Sequence, residues 1–302
     1  MKMSQNSRKL QADTPATLIQ SRERSTWQLF WSAFLRNRLA VIGAVIVFTM
    51  VIAAIIGPML VAYGFDEMHT EDRLQAPNSK YLLGTDGFGR DTLSRLLFAA
   101  RVSLTVSVLA TFVAMIIGVL LGAVAGFWGG WLDDGIMRLI DIMLAFPYMV
   151  LAIIIVSVIG PGFQNLIWVL GIIRVPHFAR ITRSSVLSVR QAEFVMAARA
   201  IGQAPYRILF RHILPNCLTP IIVYASLSAA TAITAESGLS FLGLGIQPPM
   251  SSWGTMISDG LRYMMRASWL TTFPGVAISL TVLGYNALGD GLRDALDPFS
   301  IK

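Results

Sequence analysis

One cysteine, Cys217, is all the chain has. It permits no intramolecular disulfide and fits no metal-ligand spacing, so it reads as a small apolar side chain. The three histidines, His69, His177 and His212, are too scattered in sequence to suggest a metal site. Lysine occurs only at positions 2, 9, 80 and 302 and never follows glycine, which excludes a Walker phosphate loop. No Ser–His–Asp or Cys–His arrangement is visible, so no catalysis, metal or resident cofactor is expected. Charge is scarce as well. Only 14% of residues are Asp, Glu, Lys or Arg, where a soluble domain carries about 25%.

What fills the chain instead is apolar: 55% of residues are hydrophobic. Residues 39–65, 102–132, 142–173, 213–235 and 267–289 carry no charge. A helix crosses the hydrocarbon core in about 20 residues and satisfies its own backbone there. The 142–173 run is interrupted by Gly160-Pro161-Gly162, a turn signal. The pattern predicts an all-α membrane protein with about six spans, near 39–63, 102–126, 138–160, 163–182, 213–238 and 270–290. The runs are continuous rather than alternating, which argues against a β-barrel.

Basic residues set the orientation. Seven precede the first span, and seven arginines (Arg174, Arg180, Arg183, Arg190, Arg199, Arg207 and Arg211) are assigned to the loop after the fourth. The 66–101 stretch is balanced, with five basic residues against six acidic. Both termini are therefore expected in the cytoplasm and loops 64–101 and 240–269 outside. The basic bias, a net charge of +7, belongs to loops that abut lipid rather than to nucleic-acid binding. The polar N-terminus is too long and hydrophilic to open a cleaved signal peptide, so the first span is expected to stay as an anchor. Trp27, Phe30, Trp31 and Phe34 recur at helical spacing, which predicts an interfacial helix. The expected organisation is a 1–38 tail, a span at 39–63, an outer loop at 64–101, a core at 102–290 and a tail at 291–302.

Ala197-Ala198-Arg199-Ala200-Ile201-Gly202 is followed by Arg211-His212-Ile213-Leu214-Pro215-Asn216. The alanines favour a short helix, Gly202 can end it with positive φ, and Pro205 can start the next. The pattern predicts a helix–turn–helix finger within 183–212. From the residues alone, a surface for a moving partner and a loop on lipid phosphates stand level. A second segment, Leu83-Gly84-Thr85-Asp86-Gly87-Phe88-Gly89-Arg90-Asp91, reads as an ordered loop placed by Asp–Arg pairing. Asp141 and Glu236 are the acids nearest membrane depth, where ionisable groups face a bundle interior or a partner. Asp141 is expected to pair with Arg138 on its own helix. For Glu236, packing against the outer loop is favoured over lining the pathway.

Four segments together resemble the permeases of the dipeptide, oligopeptide and nickel uptake group of ABC importers. They are 83–104, Asp141-Ile142-Met143-Leu144-Ala145-Phe146-Pro147, 197–216, and 239–249 with Ser252-Trp253-Gly254; the tail 289–298 also fits. The chain departs from the broader coupling pattern at Met196, where a glutamate is usual. The resemblance implies a type I importer permease in a bacterial inner membrane, forming half a pore for dipeptides or oligopeptides. Nickel complexes, glutathione and opines are the alternatives. It implies a homologous second permease, two cytoplasmic ATPase subunits holding ATP and magnesium, and an extracytoplasmic binding protein. Glu193, Met196, Ala197, Ala198, Arg199, Gly202, His212, Leu214 and Pro215 would meet the ATPase. Gly84, Thr85, Asp86, Gly89, Arg90 and Asp91 would lie near the binding-protein dock. A stand-alone secondary transporter competes, but no inverted repeat and few intramembrane charges weaken it.

Overall fold

A computed structural model describes residues 26–296, with side chains from 31 onward. The Trp27 and Phe30 side chains, residues 1–25 and residues 297–302, with the Asp297-Pro298 match, lie outside the described residues. The described residues are helical, apart from loops and one isolated bridge between Thr85 and Asp91.

Helix α1 (Thr26–Arg36) leads into α2 (Arg38–Leu60), where Asn37 Oδ1 accepts from the Leu39 and Ala40 amides at 3.1 and 3.2 Å. Phe34 on α1 is buried with Ala40 and Ala295, so this part of the expected interfacial face packs on protein. The central helix α3 (Thr92–Trp128) starts ten residues before its expected span, because Asp91 caps it. The Asp91 carboxylate accepts from the Ser94 amide at 2.9 Å and its hydroxyl at 2.6 Å. Arg95 and Arg101 thus stand on a helix, not in the outer loop.

The expected 138–160 span is not one rod. Helices α4 (Gly130–Ala145) and α5 (Tyr148–Ile159) meet at 93°. Proline at 147 cannot donate to the preceding turn, so the apolar run continues while the helix does not. The next span is also divided, into α6 (Phe163–Ile172) and α7 (Val175–Val189), with Ile173 and Arg174 between. Arg180 and Arg183 therefore stand on a helix, and Arg174 at its N-cap, rather than in the basic loop. After α7 the finger is formed by α8 (Glu193–Ala200) and the single turn α9 (Pro205–Arg207), followed by a π turn (Ile208–Ile213), a 3-10 turn (Leu214–Cys217) and α10 (Leu218–Phe241). Helices α11 (Trp253–Leu261) and α12 (Trp269–Leu296) close the bundle. By length and hydropathy α2, α3 and the 205–241 stretch can each cross a membrane, and the bent α4–α5 pair is long and apolar enough for a fourth crossing only if its two helices are taken as one span.

α3 packs against α7, α6, α10 and α2. Gly118, Gly122 and Gly126 recur every fourth residue on its α7 face. A Cβ at Gly118 would clash with the Phe178 Cβ, and one at Gly122 with the Ala179 carbonyl. The absent side chains let the two helix backbones approach closely, the membrane mode of helix packing.

Candidate functional site

The finger is built as its residues dictate. α8 ends at Gly202, φ +77°. The Gly202 amide donates to the Arg199 carbonyl at 3.0 Å and the Gln203 amide to Ala198 at 3.1 Å. This double bond pattern closes the helix and needs a left-handed residue between. Pro205 then opens α9. His212 Nε2 lies 2.9 Å from Gln203 Oε1, tying the π turn to the end of α8. Val195 and Ala198 turn inward onto Ile208, Leu209, Ile213 and Cys217. Ala198 is thus part of the finger's own core. Leu214 packs at the edge of the same cluster. Glu193, Met196, Ala197, Arg199 and Pro215 face outward. So do Phe194, Ile201, Tyr206 and Phe210, all among the exposed large apolar side chains. The Arg199 guanidinium sits 5.9 Å from the Phe127 ring, and Arg190 Nη1 donates to the Gly126 carbonyl at 2.9 Å. Both fasten the finger to the end of α3.

At the opposite end of α3 the 61–91 loop is held by a network of polar contacts. Asp72 accepts from Lys80 Nζ at 2.7 Å, Tyr81 OH at 2.8 Å and Gln75 Nε2 at 2.6 Å. The Lys80 ammonium and Tyr81 hydroxyl hold the Asp72 carboxyl below its ordinary range. Thr85 Oγ1 donates to the Asp72 carbonyl and accepts from the Gln75 amide. Asp86 binds Arg90 Nε at 2.7 Å and approaches Arg95 Nε at 3.6 Å, the expected Asp–Arg pairing. Gly84 and Gly89 hold positive φ beside it. A cavity of about 360 Å³ opens here, lined in part by Phe88, Arg90, Arg95, Asp259, Arg262 and Tyr263.

The two membrane-depth acids resolve differently. Asp141 pairs with Arg180 Nη2 on α7 at 2.5 Å, not with Arg138; both groups are more than half exposed. A neighbouring pair does the same work nearer the helix start. Arg183 grips Asp133 with Nε at 2.5 Å and Nη2 at 2.6 Å, so α4 is clamped to α7 twice. Glu236 is fully buried. It accepts from Ser240 Oγ at 2.7 Å and Ser103 Oγ at 2.9 Å, linking α10 to α3. It packs against the bundle interior and the start of α11 rather than facing an open path.

Among the described residues, one buried arginine also lacks a counter-charge. Arg174 is 6% exposed. It sits where α6 gives way to α7, and its Nη1 donates to the Leu170 carbonyl at 3.4 Å. It borders a cavity of about 180 Å³ with Tyr148, His177, Tyr224 and Thr231. Sequence reasoning missed it by counting it with the basic loop. Its only signal was an arginine following 32 uncharged residues.

Residues 118–302 match the family model of the binding-protein-dependent transport system inner membrane component. The chain belongs to this family. Residues 25–77 also match the N-terminal transmembrane domain of oligopeptide transport permease C. A dipeptide transport system permease protein, DppC, of Alkalihalophilus pseudofirmus is 47% identical over 91% of this chain and 90% of its own. A glutathione transport system permease protein, GsiD, of Pectobacterium atrosepticum is 41% identical over 91% and 92%. A di/tripeptide permease of Pseudomonas aeruginosa is 41% identical over 89% and 91%. Among solved structures, the inward-facing MetNI methionine ABC transporter covers 67% of this chain and 96% of its own, with a TM-score of 0.55 at 18% identity. The permease therefore has the ABC importer fold, and it is a transport component of the inner membrane, not an enzyme.

Proposed function

We propose that this permease forms half of the translocation path of an ATP-driven importer for dipeptides or short oligopeptides. The observation that carries the reading is the 47% identity, across nine-tenths of both chains, to a permease named for dipeptide transport. A homologous permease supplies the other half. Two ATPase subunits, which hold ATP and magnesium, seat on the finger, and a binding protein delivers the solute over the 64–91 face. Both termini and the finger lie in the cytoplasm.

The finger's exposed apolar side chains support the ATPase seat. Phe194, Met196, Ile201, Tyr206 and Phe210 all face outward, flanked by Arg199, Arg207 and Arg211. Apolar groups bordered by arginine are the composition of a protein interface core and rim. ATPase closure would pull on this finger and, through Ile208, Leu209 and Ile213, on α7 and α10.

The tagged chain purified in mild detergent is expected to bring down a second permease and the ATPases. Ala197→Asp with Ile201→Asp removes the ATPases and keeps the permease pair. A wild-type chain that purifies alone would count against the reading. Uptake by the reconstituted importer, with glutathione and a nickel complex competing against a dipeptide, decides the solute. Glutathione is the second reading, favoured by the 41% relative named for it.

A further inference from the structure

Arg174 is a buried cation without a counter-ion. Among the described residues its guanidinium makes one long hydrogen bond, to the last turn of α6, and no ion pair. Of the acids on α4 and α10, Asp141 is engaged with Arg180, Asp133 with Arg183 and Glu236 with serines, and the exposed Asp134 does not line the cavity beside Arg174. A buried charge is costly unless paired. A lone one inside the bundle of a membrane protein calls for a partner. Arg174 stands at the junction of two helices, eleven residues after Phe163 opens α6 and fifteen before Val189 closes α7.

The surroundings specify the missing partner. The cavity beside Arg174 is lined by neutral hydrogen-bonding groups, Tyr148, Tyr224 and Thr231, with His177 at its edge and no carboxylate. Tyr148 stands at the α4–α5 bend and is 51% exposed, so the cavity is reached from the face where the bundle is broken. A guanidinium offers a planar fork that fits a carboxylate with two parallel bonds.

We propose that Arg174 is the anion anchor of the translocation path, holding the terminal carboxylate of a passing peptide beside Tyr148 and Tyr224. The anchor rests on the peptide-importer reading above. The interaction is transient by construction. The pairing that favours entry must break for the solute to leave, and movement of α5 against α7 at the two helix breaks would open it.

The test uses the full importer with its binding protein in proteoliposomes. Uptake of labelled Ala-Phe and of its C-terminal amide is measured beside ATP hydrolysis stimulated by the binding protein. Arg174→Gln is expected to lower uptake of the free acid about tenfold or more, the worth of a charged hydrogen-bonded pair. Stimulated hydrolysis stays within about twofold of wild type, since docking and coupling are untouched. Arg174→Lys keeps an intermediate rate. The acid-to-amide ratio falls in Arg174→Gln relative to wild type, a comparison in which the binding protein's own preference cancels. Unchanged uptake or an unchanged ratio in Arg174→Gln overturns the anchor. So does joint loss of uptake, stimulated hydrolysis and the co-purifying permease, because the partner would then be a carboxylate of the second subunit. A wild-type importer that hydrolyses ATP with its binding protein but accumulates neither form sinks the peptide reading itself, and the peptide anchor with it.

Discussion

Glu236 and Asp72 are two carboxylates with opposite surroundings, and each makes a separate prediction. Glu236 accepts hydroxyl protons from Ser103 and Ser240 in a fully buried site. Glu236→Ala leaves those hydroxyls and a cavity behind, and each orphaned buried group costs about 1–3 kcal/mol. Thermal unfolding of the detergent-purified permease should drop clearly for Glu236→Ala and much less for Glu236→Gln, which keeps an acceptor. A Glu236→Ala chain that melts like wild type yet transports poorly would restore the pathway role that its burial argues against. Asp72 stands in the loop, and its carboxyl is held below the ordinary 3.8 by Lys80 and Tyr81. A depressed acid contributes stability above its unfolded pKa and loses it as pH falls through the lower native one. Lys80 shifts upward through the same contact, so its share persists through neutral pH and fades only in strong alkali. The loop should therefore resist protease unchanged from neutrality down to about pH 4 and loosen below it. Asp72→Asn, already without the charge, should show higher cleavage at neutral pH and no acid step.

The elements carry the next prediction, in the stripe where α3 meets α7. Gly118, Gly122 and Gly126 leave no room for a side chain, and at Gly122 the obstacle is backbone, the Ala179 carbonyl, which cannot swing aside. Gly122→Leu should cost about 1–3 kcal/mol or more by overpacking, read as a lowered melting temperature. Gly135, with open space around its Cβ position, should accept alanine without loss. The stripe shows what sequence reasoning could and could not reach. Helix stops made by local chemistry were legible: Gly202 ends α8 and Pro205 starts the next turn because φ is decided within a few residues. The break at Phe146-Pro147 was hidden by hydropathy, which stays high across the bend. Arg174 was hidden by its neighbours, since it and the six arginines after it look like one basic loop until α7 is seen to continue to Val189. Asp141 was given the wrong partner because Arg138 is near in sequence, while Arg180 is near only after α4 folds onto α7. What is local in the chain was readable, and what depends on helix against helix was not.

At the scale of the whole molecule, the orientation in the membrane is the property on which every partner assignment depends. In the proposed orientation, the seven basic residues before the first span and the arginines around the finger share the cytoplasmic side, as the positive-inside rule favours. The 61–91 loop then lies across the bilayer from the finger, at the other end of the 37-residue α3. The chain is suited to a direct test, because its one thiol is buried against Ile208, Leu209 and Ile213. Wild-type permease should stay unlabelled by a membrane-impermeant maleimide, in intact and in permeabilised cells alike. Ser79→Cys, on the exposed part of the loop, should react in intact spheroplasts. Ala197→Cys, exposed on α8, should react only after the membrane is opened. Its labelling should fall when the co-expressed ATPases are present, because the proposed seat covers it. Reaction of Ala197→Cys from outside would invert the topology, and with it the ATPase seat and the binding-protein face at once. Labelling that depends on permeabilisation but ignores the ATPases would keep the topology and move the seat elsewhere on the finger, toward Tyr206 and Phe210.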